Sequence, residues 1–386
     1  MKEDLLAEKL ALIEERQNQI LAQNKEILAK LNGLPSSSGG TFGEKIQNKN
    51  QYVSAIWNAE GANDKLVDFL EQWMFADGSI SDKARLIYLC CLLERGQEEL
   101  ATVGLRKYCE ERGTKLVCDF LPLAWLAVRI GIGGDVMKKA AAVFSRLEKE
   151  RKENGFQTAL QQNSFAVVGN SPDIIGDGTG EEIDARDLVF RMNTYIINQD
   201  TVRDTGEKVN GLVDNSNFAT LEHANHQQVE KYKWIYIPYD FWHIQLSQFS
   251  NVGRFIDSYY HIVTNTNVGI SWLFPEESIE LKKRLRVISP TSGMAIFYSI
   301  YKRCGGVKRE WFFGFSKEKK ESGRWNNPLK DVGSEENDAL QTANLDIFSD
   351  CDELSSFYKD APCYSKGHNM NRELELRNML FAESEK

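Results

Sequence analysis

Long apolar runs are missing from this chain. No uninterrupted apolar stretch in its 386 residues reaches the ~18 residues of a membrane-spanning helix. The first residues, MKEDLLAEKL, contain no apolar core of a secretory signal peptide. Both absences lead us to expect a cytoplasmic protein with no transmembrane segment, and they leave open a peripheral position at the inner face of a membrane.

Cysteine pairs and excess positive charge are missing too. The seven cysteines are odd in number and include no C-x-x-C pair, which argues against a disulfide scaffold and a structural zinc site. The net charge of −9 argues against nucleic acid as the main partner, because binding to a phosphate backbone uses clustered Lys and Arg. The hydrophobic content of 42% is sufficient for the cores of two or three domains.

The segment 165–193, FAVVGNSPDIIGDGTGEEIDARDLVFRMN, leads from an apolar strand through a turn of Gly, Asn and Ser to a second strand. Phe165–Val168 is the continuous apolar run of a buried parallel strand. Open α/β sheets place ligands at the carboxyl ends of such strands. Gly169 would let the backbone approach a ligand, and Asn170 and Ser171 offer polar side chains there. The segment therefore predicts a nucleotide site.

A second glycine group in this segment, Gly176, Gly178 and Gly180, is expected to leave the following loop free to wrap around a ligand. The glycine spacing fits neither G-x-G-x-x-G nor the phosphate loop G-x-x-x-x-G-K-[ST]. A strand before a glycine-rich turn also occurs in doubly wound folds that bind nothing at that turn. The residues alone leave both possibilities open.

A second block, RVISPTSG at 286–293, begins with a predicted short strand and leads into an apolar helix. Thr291, Ser292 and Gly293 lie where this helix should start. The backbone N–H groups of a first helical turn attract a phosphate. Ordinary N-capping by Ser292 is the alternative.

A third block, HNMNRE at 368–373, is expected to start a carboxyl-terminal helix. The amino end of a helix disfavours an imidazolium ion, so His368 should stay neutral and able to accept a proton near pH 7. A surface histidine at a helix start is the alternative.

Together the three blocks resemble the large, small and last sialyl motifs of glycosyltransferase family 29, the eukaryotic-type sialyltransferases. The similarity rests on VVGNS, GEEID and RMN in the first block, on PTSG and the WFFGF that follows it at 311–315, and on the spacing His-x4-Glu. It implies inverting transfer of sialic acid from CMP-sialic acid to a hydroxyl of an acceptor glycan, for example a bacterial surface polysaccharide or lipooligosaccharide. It also implies that no metal or other cofactor takes part.

The resemblance implies a role for each motif residue. His368 is the general base for the acceptor hydroxyl, and Asn170 and Asn193 contact the phosphate and ribose of CMP. The other implied residues are Ser171, Thr291, Ser292, Gly293 and Gly314 for the donor, Arg324 and Tyr364 for the phosphate, and Glu373 as a supporting residue.

One departure from the family pattern concerns the donor phosphate. The family's third motif carries a His that helps to bind this phosphate, but the corresponding stretch at 323–328, GRWNNP, has none. Arg324, or Tyr364 with Lys366, would then supply the contact. CMP-Kdo, a related keto sugar acid on the same nucleotide, stays open as the donor.

A second departure concerns a disulfide. In animal members a cysteine at the head of the large motif is bridged to a cysteine in the small motif. Here Cys304 occupies the second position, but Phe165 stands in the first, so this bridge cannot form. Its loss predicts a reducing compartment and a bacterial enzyme.

Two further alternatives remain. Asp350 and Asp352 form an Asp-x-Asp pair of the kind that holds a metal in other sugar-nucleotide enzymes, although a solvated acidic loop is expected here. The chain could also be a non-catalytic nucleotide or glycan binder that serves as a scaffold. The presence of His368 favours the enzyme, because a degenerate copy would lose its base first.

The upstream half has its own organisation. Leu6, Ile13, Ile20 and Ile27 recur every seven residues, so 3–31 predicts a short coiled coil and a homo-oligomer, with a single docked amphipathic helix as the alternative. The helical part that follows resembles tetratricopeptide-like repeats and is expected to bind a protein partner. The predicted domains are the coiled coil at 1–31, a linker at 32–44, an α-helical repeat-like domain at 45–155 and the catalytic domain at 156–386.

Beyond the helical part, strands and helices alternate. This predicts an α/β fold with a Rossmann-like sheet. The resemblance implies the sialyltransferase variant of the GT-A fold, preceded by an all-α helical-repeat region and an N-terminal coiled coil. The candidate strands are 165–168, 188–192, 234–237, 261–264, 287–288 and 311–315, and the candidate upstream helices include 65–74, 82–95 and 124–128.

Overall fold

A computed structural model describes residues 42–77, 80–193, 195, 197–215, 229–248, 252–316 and 370–385. The predictions for the coiled coil at 1–31 lie outside the described residues. The same holds for Arg324, Asp350, Asp352, Tyr364, Lys366 and His368.

The candidate helices upstream of the first strand are confirmed. Ser81 is the N-cap of the helix Asp82–Glu94: its hydroxyl accepts a hydrogen bond from the backbone N–H of Ala84 at 3.1 Å. Gly96 and Gly113 follow the ends of two helices with φ of 72° and 78°. Within the described ranges, no helix is both long and apolar enough to cross a membrane. The helices are α1 Phe42–Glu60, α2 Asp64–Asp77, α3 Asp82–Glu94, α4 Glu98–Arg112, α5 Leu121–Arg129, α6 Asp135–Glu153 and α7 Gly155–Gln162.

The second half of the chain forms a parallel sheet. Its strands are β1 Phe165–Val168, β2 Leu188–Met192, β3 Gly211–Val213, β4 Trp234–Ile237, β5 Gly269–Trp272 and β6 Phe312–Phe313. They lie in the order β5-β4-β3-β2-β1-β6, and every neighbouring pair is parallel. The accompanying helices are α8 Gly180–Asp184, α9 Val202–Thr205, α10 Val252–Asn265, α11 Pro275–Leu285, α12 Ser292–Cys304 and α13 Met370–Ser384. The predicted α/β class with a Rossmann-like parallel sheet is confirmed.

Two of the candidate strands are wrong. The stretch 261–264 belongs to α10, whose buried side chains, including Tyr259 and Ile262, recur at helical spacing. The stretch 287–288 forms no strand, and Val287 makes only an isolated bridge. The sequence prediction lacks strands β3 and β5, each of which begins with glycine, a residue that is depleted in strands. The candidates that correspond to β1, β2 and β4 have the observed bounds.

Both faces of the sheet are covered. On one face of β4, Ile235 and Ile237 belong to an apolar cluster that includes Trp57 and Phe144 of the upstream helices. On the opposite face, Tyr236 belongs to a second cluster, formed with α7, α11, α12 and α13. A parallel sheet needs such cover on both sides, because its strands are apolar on both faces. The first cluster therefore joins α1–α6 to one face of the sheet, and the second joins α7 to the other face.

A buried ionic cluster also joins the upstream helices to the loop after β4. Nδ1 of His243 lies 2.6 Å from Oδ2 of Asp240, and its Nε2 lies 2.9 Å from Oε2 of Glu94, the last residue of α3. Burial lowers the pKa of His243, but Asp240 and then Glu94 outweigh it and raise the pKa to about 9. His243 is thus a buried imidazolium between two carboxylates.

Candidate active site

The strand order defines one place where the sheet can hold a ligand. From β1 the chain adds β2 to β5 on one side and then returns to add β6 on the other side. In open parallel sheets the crevice outside the carboxyl ends at such a reversal is the usual ligand site. The residues that follow β1 and β6 are Gly169, Asn170 and Ser171, and Gly314 and Phe315.

Two glycines meet where these strands end. The N–H of Gly169 donates to the carbonyl oxygen of Phe313 at 2.8 Å. The N–H of Ser171 donates to the carbonyl oxygen of Gly314 at 2.9 Å. A Cβ at Gly169 would lie 2.4 Å from the carbonyl oxygen of Gly314, which itself has φ of 65°. The close approach predicted between Gly169 and a ligand is therefore, in this structure, an approach to the backbone of Gly314.

The two asparagines predicted to bind the donor lie at neighbouring strand ends. Nδ2 of Asn170 donates to the carbonyl of Met192 at 3.4 Å. Asn193 follows that residue with φ of 45°, and its Oδ1 accepts a hydrogen bond from the N–H of Asn215 at 3.1 Å. Asn170 is exposed, while Ser171 is buried and its hydroxyl accepts from the N–H of Asp173 at 3.4 Å.

The first turn of α12 lies beside this edge. Thr291, and not Ser292, is its N-cap, and the Thr291 hydroxyl accepts from the N–H of Met294 at 3.1 Å. This corrects the alternative that gave Ser292 that role. A Cβ at Gly293 would lie 3.0 Å from the ring of Phe315, and a Cβ at Gly169 would lie 3.4 Å from the same ring. The Phe315 ring therefore lies beside both the end of β1 and the start of α12.

The third block is tied to the second by Glu373. The side chain of this residue is buried, and its carboxylate accepts from the N–H of Thr291 at 2.9 Å and from the Thr291 hydroxyl at 2.5 Å. One turn later, Arg377 donates to the carbonyl of Ser316 at 2.7 Å. The helix α13 thus fastens the start of α12 and the segment after β6. The sequence indicates a supporting role for Glu373 but does not predict the contact of Arg377 with Ser316. The only sequence signal for Arg377 is its position four residues after Glu373, on the same face of the helix.

The glycine loop after β1 is held in place, in contrast to the prediction that it is free to wrap. The N–H of Gly178 donates to Oδ1 of Asp204 at 2.8 Å. A Cβ at Gly180 would lie 2.2 Å from the carbonyl oxygen of Val202. Backbone N–H groups of Gly176 and Gly178 hold the pKa of Asp204 below its usual range. Gly180 is thus required for the packing of the loop on α9, whereas Gly176 and Gly178 provide backbone N–H groups from positions with positive φ.

The arginine of the RMN sequence has a similar structural role. Arg191 is 2% exposed. Its guanidinium donates to the carbonyls of Lys208, Thr205 and Gly206 at 2.9, 2.8 and 2.9 Å. It therefore orders the segment between α9 and β3 from inside the protein.

An aromatic contact is made at the position where the sequence resemblance implies a cysteine. The ring centroid of Phe165 lies 4.7 Å from that of Trp311. Cys304 is a half-buried free thiol, and burial raises its pKa. The head of the large motif is thus packed against the residues before β6 by aromatic contact.

A metal site does not emerge in the part of the chain that the structure describes. No group of three or more His, Cys, Asp or Glu side chains is arranged there to hold an ion. Asp350 and Asp352 lie outside that part.

These elements define an α/β protein with polar turns gathered at the reversal point of a parallel sheet. Comparison with protein families then identifies the class: the model of glycosyltransferase family 29 (sialyltransferase) matches residues 123–324, just over half of the chain. The chain belongs to this family. The match begins inside α5, so it includes upstream helices as well as the sheet. No curated protein matches the chain closely.

Proposed function

We propose that this protein is an inverting sialyltransferase that takes CMP-sialic acid as donor and a glycan hydroxyl as acceptor. Membership of family 29 supports glycosyl transfer with a nucleotide-sugar donor and a glycan acceptor. The observation that carries the proposal is the pair of hydrogen bonds between Glu373 and Thr291. This contact joins the block that contains His368 to the block expected to bind CMP.

The donor would lie across the carboxyl ends of β1 and β2 and the first turn of α12. The N–H groups of Ser292 and Gly293 belong to the first turn, whose N–H groups have no partner inside their own helix. Together with the helix dipole they would stabilise the negative charge that the departing CMP phosphate takes up. The exposed side chain of Asn170 would contact the nucleotide. The buried hydroxyl of Ser171 would instead stabilise the turn through its hydrogen bond from the N–H of Asp173.

In the proposed reaction the acceptor hydroxyl oxygen forms a bond to the anomeric carbon of the donor. The bond between that carbon and the phosphate oxygen breaks, and CMP leaves with the electron pair. His368 takes the proton of the hydroxyl. Attack opposite the leaving group inverts the anomeric configuration. The developing charge on the phosphate requires electrostatic stabilisation, which α12 would provide without a metal.

CMP-Kdo is the second candidate donor. The stretch 323–328 has no His where the resemblance to the family's third motif implies one, so the contact to the donor phosphate, and with it the choice between the two donors, stays open. Both donors share CMP and a keto sugar acid, so the contacts at β1, β2 and α12 would serve either one.

The test is release of CMP from CMP-sialic acid and, separately, from CMP-Kdo, with a panel of acceptor glycans. We expect release with one donor, and a loss of at least ~100-fold for His368→Ala, because a general base contributes about that much or more. The affinity of His368→Ala for CMP should stay within about twofold, since the residue acts on the acceptor. His261→Ala on α10 is the matched control and should keep full activity.

CMP binding without release from either donor would favour a non-catalytic binder. Full activity of His368→Ala would show that another group is the base. Absence of CMP binding would remove the donor assignment.

A further inference from the structure

A polar network lies in the core beneath α12. Arg303, near the end of this helix, donates from Nε to Oε1 of Glu277 at 2.7 Å and from Nη2 to Oε2 of Glu277 at 2.8 Å. Its Nη1 donates to the hydroxyl of Ser271 at 2.7 Å, and its Nη2 donates to the carbonyl of Trp272 at 2.6 Å. Arg303 is 6% exposed and Glu277 is 3% exposed. The ion pair is therefore withdrawn from water.

The hydrogen bonds continue towards the start of the helix. The hydroxyl of Ser299 donates to Oε2 of Glu277 at 2.8 Å and lies 2.6 Å from the hydroxyl of Tyr236. The Tyr236 hydroxyl also donates to the carbonyl of Ala295 at 3.2 Å. The network thus fastens α12 to β4, β5 and α11 through one helical face. We call Arg303, Glu277, Ser271, Ser299 and Tyr236 the α12 network.

The α12 network restrains the helix in a way that the apolar core does not. Apolar contacts are non-directional, and helix packing tolerates shifts of angle and register. Hydrogen bonds to a planar guanidinium have a fixed geometry, so a bidentate pair at Arg303 fixes the rotation and the axial position of the helix. Helix α12 is continuous from Ser292 to Cys304. Because the helix is continuous, the hydrogen bonds that hold Arg303 also restrain the position of Ser292, about 16 Å away along the helix.

The far end of this helix is the first turn at the predicted donor site. Binding sites need their groups within about 0.5 Å and 10–20° of the productive geometry. A small rotation or slide of α12 would move the N–H groups of Ser292 and Gly293 by that much. The Thr291 cap and its bonds to Glu373 restrain this first turn from the surface side, and the α12 network restrains the helix from the core side.

We propose that the α12 network positions the first turn of α12 for the donor. Arg303 and Glu277 then act on donor affinity without touching the donor, and are positioning residues. The inference rests on the proposed function for the identity of the ligand, CMP. The coupling between the two ends of the helix does not depend on that identity.

A purely structural role makes a different prediction. A buried ion pair often contributes little net stability, and an apolar pair of similar volume can replace it without loss. If the network only supports the fold, an apolar replacement should leave the first turn unchanged. If it positions the helix, the protein should fold, yet the first turn should loosen.

The test compares two double variants with one control. Arg303→Met with Glu277→Leu removes the ion pair while it keeps an apolar volume, and Tyr236→Phe with Ser299→Ala removes only hydroxyl groups. Tyr301→Phe is the matched control on the same helix, because the Tyr301 hydroxyl donates at the surface to Glu383 at 2.9 Å. The readouts are the Kd of CMP, measured well below Tm, and the exchange rates of the Met294 and Ala295 amides without ligand.

We expect CMP binding to weaken about 2- to 30-fold in both double variants, the usual range of coupling through a packed element. Exchange at Met294 and Ala295 should accelerate about tenfold as the first turn opens more often. Tyr301→Phe should change neither. If Arg303→Met with Glu277→Leu fails to fold, Tyr236→Phe with Ser299→Ala decides the question.

Unchanged exchange and unchanged CMP affinity in a folded double variant would overturn the inference. Absence of CMP binding in the unaltered protein would refute the donor assignment instead. In that case the exchange rates alone still decide whether the α12 network controls the first turn.

Discussion

The buried carboxylate of Glu373 accepts two hydrogen bonds from Thr291, one from its backbone N–H at 2.9 Å and one from its hydroxyl at 2.5 Å. The two residues are 82 positions apart in sequence. Thr291 in turn caps α12 through its bond from Met294. The carboxyl-terminal helix is thus part of the cap of the helix at the predicted donor site.

Replacement of Glu373 should therefore affect both the stability and the binding site. Glu373→Ala leaves the N–H and hydroxyl of Thr291 without their buried acceptor, which should lower the free energy of unfolding by about 1–3 kcal/mol. Urea denaturation measures this change, and CMP titration should show weaker binding. The control is Asn378→Ala, on the exposed face of α13, which should not lower the free energy of unfolding by more than about 0.5 kcal/mol. Equal stability of the two variants would contradict the capping role.

The buried imidazolium of His243 predicts a pH dependence of stability. Its pKa of about 9 in the folded protein lies above the ordinary value of 6.5. Its stabilisation is therefore complete below pH 6.5, the ordinary value, and is lost as the pH rises through about 9. Burial lowers the pKa of Lys282 to about 8, so this second group changes its contribution only above that pH.

The window between pH 6.5 and 8 therefore isolates His243 from Lys282. There the free energy of unfolding should fall with pH by up to about 1.4 kcal/mol per unit. Urea denaturation at several pH values measures the slope. In His243→Gln the free energy of unfolding should no longer fall with pH in this window, even if the variant is less stable at every pH. A variant with the same slope as the unaltered protein would exclude a charged His243 in the cluster.

The contact between Gly169 and Gly314 predicts a severe effect of a single methyl group. In Gly169→Ala the Cβ would lie 2.4 Å from the carbonyl oxygen of Gly314, which belongs to the backbone and cannot rotate away. We expect a loss of about 1–3 kcal/mol or more, as for other overpacked sites. The matched control is Gly134→Ala, where a Cβ meets nothing within 4 Å. Thermal unfolding of both variants measures the difference, and equal midpoints would show that β1 and β6 separate easily.

Several parts of the fold could be predicted because their signals are local. Strands β1 and β4 are apolar runs, β2 is apolar except for Arg191, and all three are bounded by polar or glycine-containing segments, while the upstream helices are bounded by glycines. The strand prediction at 261–264 is wrong, because a short apolar run is compatible with either a strand or a helix and its length does not distinguish them. The alternative of N-capping by Ser292 is one residue late, because adjacent hydroxyl residues carry the same local signal.

The roles of the glycines were harder to predict. A sequence shows that Gly169 and Gly180 can approach another group closely, but it does not show which group. In the structure both approach backbone, Gly169 at Gly314 and Gly180 at Val202. The same glycine content would suit a ligand equally well, so only three-dimensional neighbours distinguish the two cases.

The family resemblance, the upstream helices and strands β1, β2 and β4 could be recognised in the sequence, because short motifs and hydrophobic periodicity are properties of neighbouring residues. The tertiary structure alone decided which distant groups meet: Glu373 with Thr291, His243 with Glu94, and Arg303 with Glu277. It also decided that the upstream helices share their apolar core with the sheet. These contacts depend on strand order and helix packing, which place residues far apart in sequence at hydrogen-bonding distance and leave no mark in the local pattern.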